Sequence, residues 1–272
     1  MNLLRKIGVL VISTTVAISF TACADKVTIS AESNKSGEEN LEKKYVIATN
    51  TLVAPYTFTN YLGEYVGIDV DLLEAIADKQ GFTYELVPMT FNNVLRALDN
   101  GEVDGAMAGI TITEERKERY DFSAPYLDSG IVMGVSAARA DIKSYEDLKN
   151  KRVAVVRGTL AEAFAESIQN EYGFTIESFV EFTDAYKDVL NGDSQAFFED
   201  YTVMGYIISL GLEFRVVSDI ERKGLVGFAV PKGKNPELLE KFNKGLKEVT
   251  ENGEYQKIMD AYHIDSQVDF IR

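Results

Sequence analysis

Three segments of this sequence place residues that bind charged groups directly after a run of apolar or small residues. Thr111 and Arg116 follow Gly109 in the first segment, Thr159 opens the second, and Asp200 ends the third. A guanidinium binds a carboxylate through two parallel hydrogen bonds, and the free amides at a helix N-terminus bind the same group. A carboxylate in turn binds an ammonium group. Together the three segments contain the groups needed to bind an α-amino acid.

Each of these residues also has an ordinary structural explanation. Arg116 stands within a charged run at 114–119, and such a run is usually a solvated helix face. Thr159 and Asp200 are both residue types that cap helix N-termini. The spacing alone therefore leaves a binding site and a plain helical surface as open alternatives.

The elements that position these segments follow from an alternation of short apolar runs and amphipathic stretches. The predicted strands are 45–49, 82–87, 105–110, 152–156, 175–180 and 196–198, with helices between them and an almost wholly helical end at 235–262. The alternation restarts at Lys151, which predicts two α/β lobes, each a mostly parallel sheet flanked by helices. Open sheets of this kind bind ligands at the carboxyl ends of their strands, where the three segments lie.

Several motifs occur in a fixed order along the chain. They are Pro55-Tyr56-Thr57-Phe58, the segments 67–72, 98–104, 111–116 and 121–126, Gly158-Thr159, and Glu199-Asp200-Tyr201. In this order they resemble the signatures of the amino-acid-binding solute-binding proteins of ABC importers, family 3, which have the type II periplasmic-binding-protein fold. The resemblance extends over nearly the whole chain after residue 44. It implies a two-lobed fold with two hinge crossings, near 128–135 and 224–230.

The resemblance also implies a domain division and residue roles. Lobe 1 would comprise 45–132 plus 226–272, and lobe 2 would comprise 133–225. Arg116 would bind the ligand α-carboxylate with help from Thr111 and Thr159, while Asp200 and the backbone of Gly109 would bind the α-ammonium. The aromatic candidates for packing on the ligand side chain are Tyr56, Phe58 and Phe91.

The ligand side chain is predicted from two further positions. Asn50 stands where relatives that bind basic or amide side chains often have Asp, and a buried basic side chain needs an acidic partner. Because Asn both donates and accepts hydrogen bonds, glutamine is the first expectation. Arg157, beside the Gly158 loop, would instead favour glutamate or aspartate if it reached the pocket, and cystine stays open as well.

The N-terminal region predicts export and anchoring. A basic start and a short apolar run predict a signal peptide at 1–22, because the run is shorter than the roughly 20 residues that span a bilayer. Cys23, the only cysteine of the chain, stands at the predicted cleavage junction in a segment that resembles a bacterial lipobox. We expect lipid on Cys23, a flexible tether at 23–44, and a location on the outer face of the cell membrane or in the periplasm.

Charge and composition limit the other functions. The net charge of −15 argues against nucleic acid as a partner. A single histidine, His263, and a single cysteine leave no His/Cys metal site, so no metal, cofactor or catalytic residue is predicted. We expect a monomer whose partners are a free L-amino acid and the permease of an ABC importer. An enzyme on the same scaffold, of the dehydratase kind, and a ligand-sensing domain remain alternatives.

Overall fold

The structure of this chain is a computed structural model, and it describes residues 43–262. The predicted signal peptide at 1–22, the lipid site at Cys23 and the histidine His263 lie outside the described residues. The described residues all belong to one compact unit.

The described part of the chain alternates strands and helices as expected. The strands are β1 (Lys44–Thr49), β2 (Leu52–Val53), β3 (Thr57–Thr59), β4 (Tyr65–Val66), β5 (Thr83–Pro88), β6 (Gly105–Ala106), β7 (Tyr120–Phe122), β8 (Leu127–Ser136), β9 (Arg152–Val156), β10 (Thr175–Phe179), β11 (Ala196–Asp200), β12 (Phe214–Val216), β13 (Glu221–Val226) and β14 (Ala229–Pro231). The helices are α1 (Ile68–Gln80), α2 (Phe91–Asn100), α3 (Glu114–Arg119), α4 (Leu160–Tyr172), α5 (Phe182–Asn191), α6 (Tyr201–Ser209), α7 (Pro236–Glu251) and α8 (Glu254–Ala261), and a 3₁₀ helix spans Tyr145–Leu148. None of the helices between residues 43 and 262 is long and apolar enough to cross a membrane.

Lobe 1 is built on a five-stranded sheet in the order β5-β1-β6-β14-β7. Strand β1 is parallel to β5 and β6, whereas β14 returns antiparallel to β6 and β7. Helix α1 ends at Gly81, which has a φ of 61° and closes the helix in the left-handed conformation that glycine adopts without strain. The rings of Phe228 and Phe242 stack 4.5 Å apart, which joins helix α7 to the lobe 1 core.

Lobe 2 is built on a sheet in the order β10-β9-β11-β8-β12, with β13 also paired to β8. Successive side chains of β11 point to opposite faces, as in any strand. The ring of Phe197 therefore packs against Tyr186 of α5 at 5.3 Å, and that of Phe198 packs against Phe164 of α4 at the same distance on the other face. Because of this alternation, the side chain of Glu199, which follows Phe198, points to the same face as that of Phe197.

Two chain segments connect the lobes. Strand β8 contains the predicted crossing near 128–135; it pairs with β13 from Leu127 and with β11 from Ile131, and the predicted boundary between residues 132 and 133 falls inside it. The second crossing lies between the end of β13 at Val226 and the start of β14 at Ala229, inside the predicted segment 224–230.

The structure differs from the sequence-based expectation at three places. The predicted strand at 105–110 pairs only at Gly105–Ala106, because Gly109 turns the chain with a φ of 60°. A separate three-stranded sheet, β2-β3-β4, follows β1 and had no counterpart in the prediction. The antiparallel return strands β8 and β12–β14 make both large sheets mixed.

Candidate ligand-binding site

A cavity of about 40 Å³ lies between the two lobes, at the ends of strands from both sheets. Its lobe 1 wall is formed by Val53, Tyr56, Phe91, Ala108, Gly109, Thr111 and Arg116. Its lobe 2 wall is formed by Ile131, Thr159, Leu160, Ala161, Phe182, Glu199, Asp200 and Val203. Seven of the ten residues expected at the ligand are on this wall, so the structure brings together segments that are up to 144 positions apart.

Arg116 is held at the cavity by bonds to both lobes. Its Nη1 donates to the carbonyl oxygen of Thr111 at 2.9 Å, and its Nη2 donates to the carbonyl oxygen of Gly158 in lobe 2 at 3.3 Å. The guanidinium lies 5.6 Å from the ring centroid of Phe91, within reach of a cation–π contact. Burial lowers the pKa of Arg116 from its usual value, but an arginine stays charged. These bonds use two of five N–H donors, which leaves a fork for a carboxylate.

The position of Arg116 follows from the start of α3. Thr113 precedes the helix in an extended conformation, and its Oγ1 accepts a hydrogen bond of 3.1 Å from the backbone N–H of Arg116. This cap places Arg116 in the first turn, on the face toward the cavity. The surrounding charged residues Glu114, Glu115 and Lys117 remain exposed, so Arg116 is the one residue of α3 that is buried.

Thr159 lies on the wall and also caps a helix. Its Oγ1 accepts from the N–H of Glu162 at 3.2 Å and donates to the carbonyl oxygen of Val156 at 2.7 Å. The first residues of α4, Leu160 and Ala161, line the cavity as well. The N-terminus of α4 therefore faces the cavity near Arg116, and its free amides and dipole favour an anionic group there.

Asp200 supplies the negative charge on the lobe 2 wall. Its Oδ2 accepts from the hydroxyl of Ser129 at 2.8 Å and from the N–H of Gly130 at 3.3 Å. Its Oδ1 accepts from the N–H of Thr202 at 2.9 Å and from the hydroxyl of Tyr56 at 3.3 Å. Burial raises the pKa of Asp200 above its usual value, and these donors oppose that rise.

The turn at Gly109 is contacted by two side chains, those of Asp69 and Tyr56, whose link to it was not predicted from the sequence. Its N–H donates to Oδ2 of Asp69 at 2.8 Å, and Oδ1 of Asp69 accepts from the hydroxyl of Tyr126 at 2.7 Å. A Cβ atom at position 109 would lie 2.8 Å from the ring of Tyr56. Burial raises the pKa of Asp69 to about 6. Asp69 thus acts on the site through the Gly109 turn, and its only signal in the sequence was the motif at 67–72.

A chain of hydroxyl groups connects the two walls. Oγ1 of Thr111 and Oγ of Ser129 lie 3.0 Å apart, and Ser129 donates onward to Asp200. Ser129 belongs to β8, the strand that carries the first crossing. The regions around Thr111 and Asp200 are therefore linked through the crossing strand.

Three residues that the sequence placed at the ligand lie elsewhere. Asn50 is buried, but its Oδ1 accepts from the N–H of Leu52 at 3.1 Å, and the residue is not on the cavity wall. The ring of Phe58 packs 6.1 Å from that of Tyr206, outside the wall. The side chain of Arg157 is exposed. The arguments for glutamine from Asn50 and for an acidic ligand from Arg157 therefore lose their structural basis.

Glu199 lies on the wall although the sequence gave it no role. The residue is 3% exposed, and Oε1 accepts from the N–H of Asp200 at 2.7 Å. Oε2 is buried and has no hydrogen-bond partner among residues 43–262. Burial raises the pKa of Glu199 well above its usual value. An acidic residue that ends a strand as apolar as Ala196 to Phe198 was the signal available in the sequence.

Residues 45–265 match the sequence profile of the bacterial extracellular solute-binding proteins, family 3. The arginine-binding extracellular protein ArtP of Bacillus subtilis (strain 168) is 32% identical over 257 residues, which are 94% of this chain and 96% of that protein.

Solved structures of amino-acid-binding proteins are also similar to this chain. An ancestral arginine-binding protein bound to glutamine is 36% identical, with a TM-score of 0.74, and the match covers 80% of this chain and 97% of the other. The ancestral amino acid-binding protein AncCDT-1, described as a precursor of cyclohexadienyl dehydratase, is 34% identical with a TM-score of 0.74, over 80% of this chain and 95% of the other.

Proposed function

This chain belongs to the bacterial extracellular solute-binding proteins of family 3, and we propose that it captures an L-α-amino acid between its lobes for an ABC importer. One observation carries the proposal. Arg116 from lobe 1 and Asp200 from lobe 2 face the same cavity with opposite charges. These charges are complementary to the α-carboxylate and the α-ammonium of a zwitterion.

Ligand entry requires the lobes to separate. The cavity of about 40 Å³ has room for only about three or four water-sized positions. An amino acid is larger, so the bond between Arg116 and Gly158 and the bond between Tyr56 and Asp200 would open first. The two crossing segments are the natural hinge, and ligand contacts to both walls would favour the closed arrangement.

The proposed ligand has a polar side chain, and two chemistries are supported. ArtP is named for arginine, and the ancestral arginine-binding protein was solved with glutamine. Glutamine was the expectation from Asn50, but that residue lies off the wall. Glu199 is the acidic side chain on the wall that would contact neither the α-carboxylate nor the α-ammonium of the ligand.

A dehydratase is the second candidate, because a buried carboxyl with a raised pKa, such as that of Glu199, is also what a general acid requires. AncCDT-1 shows that a similar scaffold stands at the origin of an enzyme. Mass spectrometry distinguishes the two functions. A receptor returns its ligand chemically unchanged after prolonged incubation, whereas an enzyme releases a product.

The test of the receptor function uses protein that has been unfolded and refolded to remove co-purified ligand. A thermal-shift screen against the common L-amino acids should show stabilisation by a small set, because saturation well above Kd stabilises the native state by a few kcal/mol. The D-enantiomers serve as matched controls. The absence of stabilisation by any L-amino acid would refute the proposal.

Membrane anchoring through Cys23 is part of the same proposal. A lipid on Cys23 would hold the receptor near its permease. Cells expressing Cys23→Ala should release the protein from the membrane fraction, and a protein that stays there would contradict the anchor.

A further inference from the structure

The cavity contains one acidic group more than the backbone of an amino acid can pair with. Arg116 and Asp200 are balanced by the α-carboxylate and the α-ammonium of the ligand. Glu199 remains, with Oε2 buried and without a hydrogen-bond partner among residues 43–262. A buried polar atom without a partner destabilises the protein by about 1–3 kcal/mol, so it is unusual in a native structure and calls for a ligand or a proton.

The direction of the Glu199 side chain is set by the strand. Along β11, Phe197 packs toward Tyr186 of α5 and Phe198 packs toward Phe164 of α4, so residue 199 returns to the α5 face. The cavity wall beside Glu199 includes Phe182 of α5. Glu199 is therefore at the α5 end of the wall, beside Phe182.

No side chain among residues 43–262 donates to Oε2, and the buried hydroxyl of Tyr186 on the same α5 face makes no hydrogen bond to it either. The lining residues Val53, Phe182 and Val203 offer no side-chain donor, and the backbone N–H of Asp200 already bonds to Oε1. Aliphatic and aromatic walls of this kind suit the methylene groups of a long ligand side chain. The polar group at the end of such a chain would then meet Oε2.

We propose that Glu199 is the specificity-determining residue of this site and that it selects an L-amino acid with a cationic side chain. The inference rests on the proposed function, because it assumes that the α-groups of the ligand bind at Arg116 and Asp200. It reverses the expectation from Asn50, which disfavoured a basic side chain for want of an acidic partner. That partner is Glu199, from the opposite lobe.

Binding of such a ligand exchanges a proton. Burial and the nearby charge of Asp200 both raise the pKa of Glu199, so the free site holds the carboxyl proton more tightly than an exposed glutamate would. The other ionisable groups around it are Tyr186 on α5, and Tyr56 and Arg116 across the cavity. The incoming cation stabilises the carboxylate, so the carboxyl proton leaves to the solvent and the bound pair is neutral. Affinity therefore rises with pH until the free Glu199 carboxyl is itself ionised.

The experiment compares L-arginine with L-citrulline, which has nearly the same shape and no side-chain charge. Isothermal titration calorimetry in two buffers of different ionisation enthalpy, at the same pH near 6, measures the protons released. We expect protons to be released with arginine and none with citrulline, and tighter binding of arginine.

Two variants complete the test. Glu199→Gln should weaken arginine binding by about thirtyfold or more and abolish proton release, while changing citrulline affinity less than threefold. Glu177→Gln, an exposed carboxyl on strand β10 of the same sheet, is the matched control and should behave as the unchanged protein.

The outcomes separate this inference from the receptor function. Tight binding of neutral amino acids, with no proton release and no preference for arginine, would overturn the role of Glu199 and leave the receptor intact. Failure of every L-amino acid to bind would refute the receptor function itself. Thermal unfolding of Glu199→Gln confirms that a lost affinity is not a loss of fold.

Discussion

The hydroxyl of Tyr56 in lobe 1 donates a hydrogen bond of 3.3 Å to Oδ1 of Asp200 in lobe 2. The ring of the same tyrosine closes over Gly109, where a Cβ atom would lie 2.8 Å away. Tyr56 thus couples the turn that would bind the ligand ammonium to the carboxylate that would neutralise it. Changes at either side of this pair should alter affinity and lobe closure together.

Arg116→Ala should abolish amino-acid binding, because it removes the only guanidinium on the cavity wall of the described chain. Arg116→Lys should weaken binding clearly, since a lysine keeps the charge and loses the planar fork. Hydrogen bonds to charged groups contribute about 1.5–3 kcal/mol each, so the loss in Kd is at least about tenfold. Isothermal titration calorimetry measures it.

The control for this prediction is Arg96→Ala. Arg96 is an exposed arginine on α2 in the same lobe, and its substitution should leave Kd unchanged. Thermal unfolding of both variants should stay cooperative. Retained affinity in Arg116→Ala would remove Arg116 from the site.

Asp200→Asn should lower affinity by at least about tenfold, because loss of one partner of a buried charge pair typically costs about 2–5 kcal/mol. Tyr56→Phe removes only the hydroxyl that bonds to Asp200 and should have a smaller effect, of a few-fold. Fluorescence energy transfer between labels on the two lobes would report closure. A change below twofold in Asp200→Asn would place Asp200 outside the site.

Gly109→Ala should reduce both stability and affinity. The left-handed φ of 60° costs about 1 kcal/mol for alanine, and the clash with the ring of Tyr56 adds about 1–3 kcal/mol. Gly63→Ala is the matched control, because Gly63 has a φ of 83° and no atom within 4 Å of the added Cβ. It should lose about 1 kcal/mol and bind normally. Equal effects at both positions, measured by denaturant unfolding, would show that the contact with Tyr56 is unimportant.

The stability of the protein should depend on the ionisation of Asp69. Burial raises the pKa of Asp69 from 3.8 to about 6, so the native state holds this proton more tightly than the unfolded chain. The stabilisation is fully present below pH 3.8 and is lost as the pH rises through about 6. The loss amounts to at most about 3 kcal/mol in the free energy of unfolding.

Asp69→Asn isolates this contribution. The difference in unfolding free energy, variant minus unchanged protein, should increase from about pH 4 to about pH 7, because only the unchanged protein loses stability through Asp69. Urea denaturation at several pH values gives the difference directly. A difference that does not change with pH would mean that Asp69 keeps an ordinary pKa.

Much of the fold could be predicted from the sequence, because helix ends and amphipathic periodicity are local signals. Helix α1 ends at Gly81, and helices α2 and α5 are amphipathic and lie where their periodicity predicted. The long strand β8 and the sheet of β2, β3 and β4 were missed, because strand pairing depends on partners distant in sequence.

The amino-acid sequence by itself determined the α/β alternation and, through its ordered motifs, seven of the residues that line the cavity. Only the tertiary structure decided which side chains line the cavity beyond those. Asn50 bonds to the backbone two residues later and stays off the wall, whereas the alternation of β11 turns Glu199 into the cavity. The physical reason is that a site between two lobes is formed by the facing surfaces, and a side chain reaches it only if its strand or turn is rotated toward the other lobe.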